Sequence, residues 1–228
     1  MPVFLLSEKI AFPPPHLARK DGLLAVGGDL SQKRLLLAYR TGIFPWFSDG
    51  EPIMWWCPDP RLVLYPDELR IPKSLRKVIK KNLFQMTIDT AFKDVITECA
   101  RVRLEAGEGT WIVEEMKAAY CQLHESGFAH SVEAWHHREL AGGLYGVSMG
   151  KCFFGESMFT RVNDASKVAL VFLSEYLKSL SFDMIDCQMT TEHMIRFGAR
   201  KIPRDLFLNQ LKQSLNVPDL KGKWVSRS

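Results

Sequence analysis

Residues 130–159 read HSVEAWHHRELAGGLYGVSMGKCFFGESMF. Three β-rich runs, 130–135, 139–149 and 151–159, follow one another with almost no chain between them, and Met149-Gly150 makes a tight turn. Parallel neighbours need a long crossover, so these three strands are predicted to be antiparallel. Upstream, FQMTID (84–89) predicts a strand. AFKDVITECARV (91–102) and IVEEMKAAYCQLHES (112–126) predict helices, the second stopped by Gly127. Downstream, ASKVALVFLSEYLKSL (165–180) predicts a helix introduced by Asn163 and Asp164, and DMIDCQM (183–189) a strand. EHMIRFG is a short helix, and PRDLFLNQLKQSL (203–215) a last one with Pro203 in its first turn. This order predicts an α+β fold with a central, mostly antiparallel sheet flanked by helices.

The front of the chain is different. GGDLSQKRLLLAYRTG predicts one helix, with Ser31 as N-cap, Leu35, Leu36 and Tyr39 on its apolar face and Gly42 as its stop. IFPWFSDGEPIMWWCPDPR (43–61) then holds three of the six tryptophans and four of the twelve prolines. No helix survives that proline spacing. The stretch is either a rigid plug in a domain joint or the apolar wall of a pocket. RLVLY (61–65) predicts a strand and PKSLRKVIKKN (72–82) a short helix. A boundary near residue 60 divides a small N-terminal domain, 1–60, from a larger one, 61–228.

Composition narrows the class. The 228 residues are 46% hydrophobic and 25% charged, ordinary globular values, and the net charge of +4 is mild. A nucleic-acid role must therefore rest on where the charge sits. MPVFLLSEKIAFPPP has no basic segment followed by a long apolar one, which argues against a signal peptide, and no run approaches a membrane span. Five scattered cysteines without a CxxC, and His136-His137 side by side, point to reduced thiols, a cytoplasmic setting and no structural metal. GxxxxGK[ST], GxGxxG after a strand and GxSxG are all absent, so neither ATP, a dinucleotide nor a serine hydrolase is signalled.

Four constellations could carry chemistry, and each has a plainer alternative. In DMIDCQM, strand alternation puts Asp186 and Gln188 on one face with Met184, where they could orient an amine or accept its proton. A carboxylate in an apolar strand is costly unless paired or hydrogen-bonded, so Asp186 could equally be a strand-end residue satisfied by backbone or solvent. In FFGESMF, alternation places Phe154, Glu156 and Met158 together, and Gly155 permits close approach. Two carboxylates facing one cleft would suit a cationic group; an edge-strand Glu facing water is the alternative. Lys73, Arg76, Lys77, Lys80 and Lys81 fall in one arc of a helix with no acid between Ile71 and Asn82. Such a single-sign stripe suits a phosphate backbone, or is a solvated face. Finally, the aromatic-proline stretch with Trp111 and Tyr120 could line an apolar pocket that also stacks a base, or pack a joint.

The strand and helix order from about residue 84 looks like the GNAT acyltransferase fold. Acyl-CoA users of that fold carry a glycine-rich phosphate loop where this chain reads TRVNDASKVAL, without glycine, which disfavours an acyl-CoA donor. The motifs GLLAVGGDL, RTGIFPWFSDGEPIMWWCPDPR, EGTWI, SVEAW, GGLYGV, GESMF, NDASKVAL and IDCQM, in that order, resemble the leucyl/phenylalanyl-tRNA–protein transferases over residues 10 to 210. The resemblance implies transfer of Leu or Phe, with Met next in size, from aminoacyl-tRNA to the α-amine of proteins beginning with Lys or Arg. That product would be an N-terminal degradation signal. It places Asp186 and Gln188 at the reaction centre and Glu156 on the substrate-binding acidic face. It puts Trp46, Trp111, Tyr120 and Tyr39 around the aminoacyl-adenosine. Leu144, where Met is expected, and Met158 belong to the side-chain pocket, and Phe172-Leu173 displaces an expected Phe by one place. Lys73, Lys77 and Lys80, with Arg76 and Lys81 of the same stripe, would hold the tRNA. No cofactor, metal or membrane is implied, and a monomer is the default. The rivals are an acetyl-CoA-dependent N-acetyltransferase and a non-catalytic tRNA- or peptide-binding module.

Overall fold

The computed structural model describes residues 3–107 and 109–225. The front of the chain folds into a small four-stranded sheet of β1 (Phe4–Leu6), β2 (Leu23–Gly27), β3 (Phe44–Pro45) and β4 (Met54–Trp56), in the order β1-β2-β4-β3. Between β2 and β3 lies α1 (Gln32–Arg40). Its ends follow the sequence: the Ser31 side chain accepts from Arg34 N, and Gly42 leaves the helix at φ +75. The sequence predicts only the helix here. The strands are two to five residues long and their register is set by contacts distant in the chain, so local periodicity does not report them.

The aromatic-proline stretch is both plug and wall. Phe44, Phe47 and Trp55 are buried, with Trp55 Nε1 donating to Gly27 O at 2.8 Å. Trp46 and Trp56 face outward, their rings 5.7 Å apart. Trp55 is thus core rather than pocket, because it pairs with Ala25 and Pro45 in the middle of the small sheet.

The chain crosses into the large sheet between Trp56 and Arg61. Its strands are β5 (Arg61–Leu64), β6 (Gln85–Ile88), β7 (Ala129–His136), β8 (Glu139–Met149), β9 (Cys152–Thr160), β10 (Met184–Gln188) and β11 (Arg200–Ile202). The order is β11-β5-β10-β9-β8-β7-β6, and only β9 and β10 run parallel. That pair is joined by α5 (Ala165–Ser179), the crossover a parallel pair requires. One face packs on α3 (Phe92–Glu105), α4 (Glu114–Glu125), α7 (Arg204–Ser214) and the small sheet; Tyr39, Trp55, Tyr145 and Phe154 share this core. The other packs on α2 (Lys73–Lys80), α5 and α6 (Glu192–Arg196). The architecture is α+β, as the order of elements predicted. Among the described residues no helix is long and apolar enough to cross a membrane.

Two glycines show how tightly the sheet is built. A Cβ on Gly146 would lie 2.2 Å from Phe154 O and 2.5 Å from the Phe153 ring, whereas one on Gly155 meets nothing nearer than 3.6 Å. Gly146→Ala is therefore expected to lose about 1–3 kcal/mol by overpacking, seen as a lower urea midpoint at unchanged slope. Gly155→Ala should shift that midpoint far less.

Candidate active site

The site grows from two irregularities in neighbouring strands. Across β8 and β9, Gly146 faces Gly155 and Tyr145 faces Ser157, so Glu156 is an extra residue with no partner. A bulge of this kind reverses alternation. Phe153 and Met158 pack toward α5, while Phe154 and Phe159 pack toward α3. The predicted shared face of Phe154, Glu156 and Met158 is therefore corrected: the bulge separates them. In β10, Asp186 pairs with Val63 and Gln188 with Leu62, leaving Cys187 as the extra residue, and Gln188 sits at φ +60. The ladder between β9 and β10 stops at Phe154 and Asp186. Beyond it the strands part, and Gly155, Glu156 and Cys187 border the opening.

Glu156 is the hub. Its carboxyl accepts from Tyr39 OH at 2.7 Å, Gln188 Nε2 at 2.8 Å and Tyr120 OH at 3.0 Å, and the two tyrosine hydroxyls lie against each other. Burial raises its pKa to about 7, against the stabilising pull of those three donors. Burial likewise holds the Tyr39 and Tyr120 hydroxyls well above their ordinary range, so both remain donors. Neither tyrosine is exposed, which corrects the expectation that they wall the ligand site: they stand behind Glu156 and act on it.

Asp186 is not on an open face either. Its carboxylate takes a two-pronged bond from Arg61, Nε to Oδ1 at 2.8 Å and Nη2 to Oδ2 at 2.6 Å. Both side chains are fully buried, and the guanidinium lies 4.8 Å from the Phe44 ring centre and 4.6 Å from that of Phe207. Oδ1 also accepts from Gln188 N at 2.9 Å. The expected two-carboxylate cleft is thus reduced to one carboxylate, Glu156, because Arg61 neutralises Asp186. Sequence reading passes over Arg61, yet a signal is there: RLVLY carries Arg61, and MIDCQ, the strand itself, carries Asp186, single charges of opposite sign in apolar strands.

Two hollows share Arg103 in their lining, and Glu156 lines the smaller of them. One, of about 500 Å³, is apolar toward α5, where Leu144, Phe153, Met158, Leu170, Leu173 and Ile185 form its wall. Leu144 and Met158 are cross-strand partners there. Leu173 faces this hollow while Phe172 lies against α2 in a separate groove, so the displaced Phe does not reach the pocket. The second hollow, of about 1310 Å³, is lined by Trp46, Trp56 and Trp111 under an acidic rim of Asp49, Glu51, Glu114 and Glu115. Glu108, which begins the EGTWI motif beside it, lies outside the described residues. Lys73, Arg76, Lys77, Lys80 and Lys81 are all exposed on and just beyond α2, held to the sheet by Leu75. No group of three or more His, Cys, Asp or Glu side chains able to hold a metal occurs among the described residues.

A carboxyl poised near neutrality at the edge of an apolar hollow suits acyl transfer to an amine, and the chain is an aminoacyltransferase. Residues 63–212 match the leucyl/phenylalanyl-tRNA protein transferase family and residues 28–59 the N-terminal domain of the same family. The chain belongs to that family. A leucyl/phenylalanyl-tRNA–protein transferase of Desulfatibacillum aliphaticivorans is 58% identical over 228 residues, covering 100% of this chain and 98% of its own. That of Syntrophobacter fumaroxidans is 59% identical over 220 residues, 96% of this chain and 93% of its own. That of Syntrophus aciditrophicus is 58% identical over 224 residues, 98% and 94%.

The buried ion pair yields a prediction that separates support from chemistry. Asp186→Ala strips Arg61 of its partner and is expected to lose about 3–5 kcal/mol of stability, with transfer lowered about 10²-fold or more. Replacing both charges, as Asp186→Leu with Arg61→Met, should recover much of the stability in urea melts while transfer stays low.

Proposed function

We propose that this chain transfers Leu or Phe, and within the same size limit Met, from aminoacyl-tRNA to the α-amino group of proteins beginning with Lys or Arg. The product is an N-terminal degradation signal, and the reaction belongs in the cytoplasm, with the chain acting as a monomer. Glu156 carries this reading: it is a carboxyl of pKa about 7, gripped by two tyrosines and Gln188 at the mouth of an apolar hollow. The hollow takes the aminoacyl side chain. Its wall of Leu, Met, Phe and Ile rejects charge by desolvation and separates close apolar side chains by only ~1–3 kcal/mol per methylene, which fits acceptance of both Leu and Phe. Trp46 and Trp111 receive the terminal adenosine, and the α2 lysines and Arg76 hold the tRNA backbone.

The ester is already activated, so the protein must orient the amine, take its proton and place the leaving group. Gln188 donates its amide to Glu156, which leaves its carbonyl oxygen to accept from the attacking amine. The amine nitrogen bonds to the ester carbonyl carbon and its proton passes to Glu156. As the tetrahedral intermediate collapses, the C–O bond to the tRNA ribose breaks and that oxygen takes the proton from Glu156. Asp186 and Arg61 act through Gln188, whose backbone they hold in the bulge. The negative charge of Glu156 also favours the Lys or Arg cation of the acceptor.

The test is transfer of labelled Phe from Phe-tRNA, with acetyl-CoA in parallel, to a peptide beginning with Arg and to its Ala counterpart. Label reaching only the Arg peptide from the tRNA is expected; label from acetyl-CoA, or none, overturns the proposal. Activity should rise as pH passes about 7, because the working form of Glu156 is the carboxylate. Glu156→Gln should lose that limb and keep only the amine's own titration at about 7.7–8.0. For folding the sign is opposite. A carboxyl whose pKa is raised on folding stabilises below its unfolded value of about 4.3, and this is lost as pH climbs to about 7. Separately, Lys77→Ala with Lys80→Ala should weaken tRNA binding and reduce the salt slope by roughly 1.5; an unchanged slope removes α2 from the tRNA site.

A further inference from the structure

The segment from Asp219 to Trp224 is fastened to the back of the large sheet at successive points. Asp219 accepts from Gly150 N at 2.9 Å and from Arg40 Nη2 at 2.6 Å. Gly222 N donates to Gly127 O at 3.3 Å, and a Cβ on Gly127 would lie 2.2 Å from Gly222 N, so only glycine lets the segment lie there. Lys221 Nζ sits 4.8 Å from the Phe128 ring centre. Trp224 is 3% exposed; its backbone N donates to Asp89 Oδ2 at 2.7 Å, and its indole stacks on the His130 imidazole at 3.7 Å and 8°. His130 Nδ1 lies 2.8 Å from the same Asp89 oxygen, which turns the flat face of the ring to the indole. Burial lowers the His130 pKa, so that face is neutral imidazole.

Three more aromatic rings neighbour the indole. Phe153 lies 6.0 Å from Trp224, ring centre to ring centre, and Tyr176 and Phe182 complete the enclosure at 5.3 and 6.0 Å. Phe153 lines the hollow, and its ring rests where a Gly146 side chain would be, 2.5 Å from that missing Cβ. Phe153 is thus set by a bare glycine backbone and by the indole. Resting on the reading of the 500 Å³ hollow as the aminoacyl side-chain pocket, we propose that Trp224 is a positioning residue for substrate specificity. It holds Phe153 forward as the rear wall and so sets the depth of the pocket. Without the indole, Phe153 can retreat into the vacated space, and the deeper pocket gains more for large side chains than for Leu.

The experiment compares kcat/KM for leucyl-, phenylalanyl- and tryptophanyl-tRNA in the full chain, Trp224→Leu, Trp224→Phe and Leu144→Ala, with thermal melts of each. Trp224→Leu is expected to raise the Phe-to-Leu ratio about tenfold and to make Trp transfer measurable, as the gain of a side chain's worth of space allows. Trp224→Phe should fall between it and the parent, and it carries the test if Trp224→Leu melts below the assay temperature. An unchanged ratio in the Trp224 variants, including an equal loss for all three donors, overturns the proposal when Leu144→Ala does move the ratio. If Leu144→Ala leaves the ratio unchanged as well, the pocket reading itself falls, and the proposal with it.

Discussion

The rest of the molecule is arranged around the Arg61–Asp186 pair. It joins β5, the first strand after the small sheet, to β10, and it closes the seam against Phe44 of the small sheet and Phe207 of α7. Two ions buried to zero exposure are a poor way to gain stability, since desolvation offsets most of their attraction. What the pair provides is geometry. Asp186 Oδ1, already bonded to Arg61 Nε, has a lone pair left for a backbone donor, and Gln188 N takes it. That bond holds β10 in its bulge and turns the Gln188 side chain toward Glu156.

The same logic of an interrupted ladder produces Glu156. A regular β9 would commit it to one face of the sheet. As the extra residue of a bulge it stands at the rim where β9 and β10 part, within reach of tyrosines from α1 and α4. Burial alone would keep this carboxyl protonated through neutrality; its three donors oppose that and leave it near 7, where it can both take and return a proton. The electrostatics are therefore shared between layers. The large sheet supplies the carboxyl, and α1 supplies Tyr39, one of the donors that tune it. This gives a physical reason for one apolar core to run through both parts of the chain.

The sequence determined the helices with clear ends, the antiparallel trio β7, β8 and β9, and the absence of a glycine phosphate loop before α5. Each depends on neighbours in the chain: caps, glycine stops, prolines and tight turns act within a few residues. It also singled out Glu156, Asp186, Gln188 and the α2 stripe, because a charge in an apolar strand or an unbroken run of one sign is conspicuous without coordinates. The tertiary structure alone decided which of these meet. Alternation cannot foresee a bulge, so the predicted faces of β9 were reversed beyond Glu156. Nothing local shows that Arg61 finds Asp186 across 125 positions, that Tyr39 and Tyr120 stand behind a carboxyl rather than beside a ligand, or that Trp224 returns to prop Phe153. Those are contacts between distant segments, chosen by packing the whole core, and a short window of sequence contains no term for them.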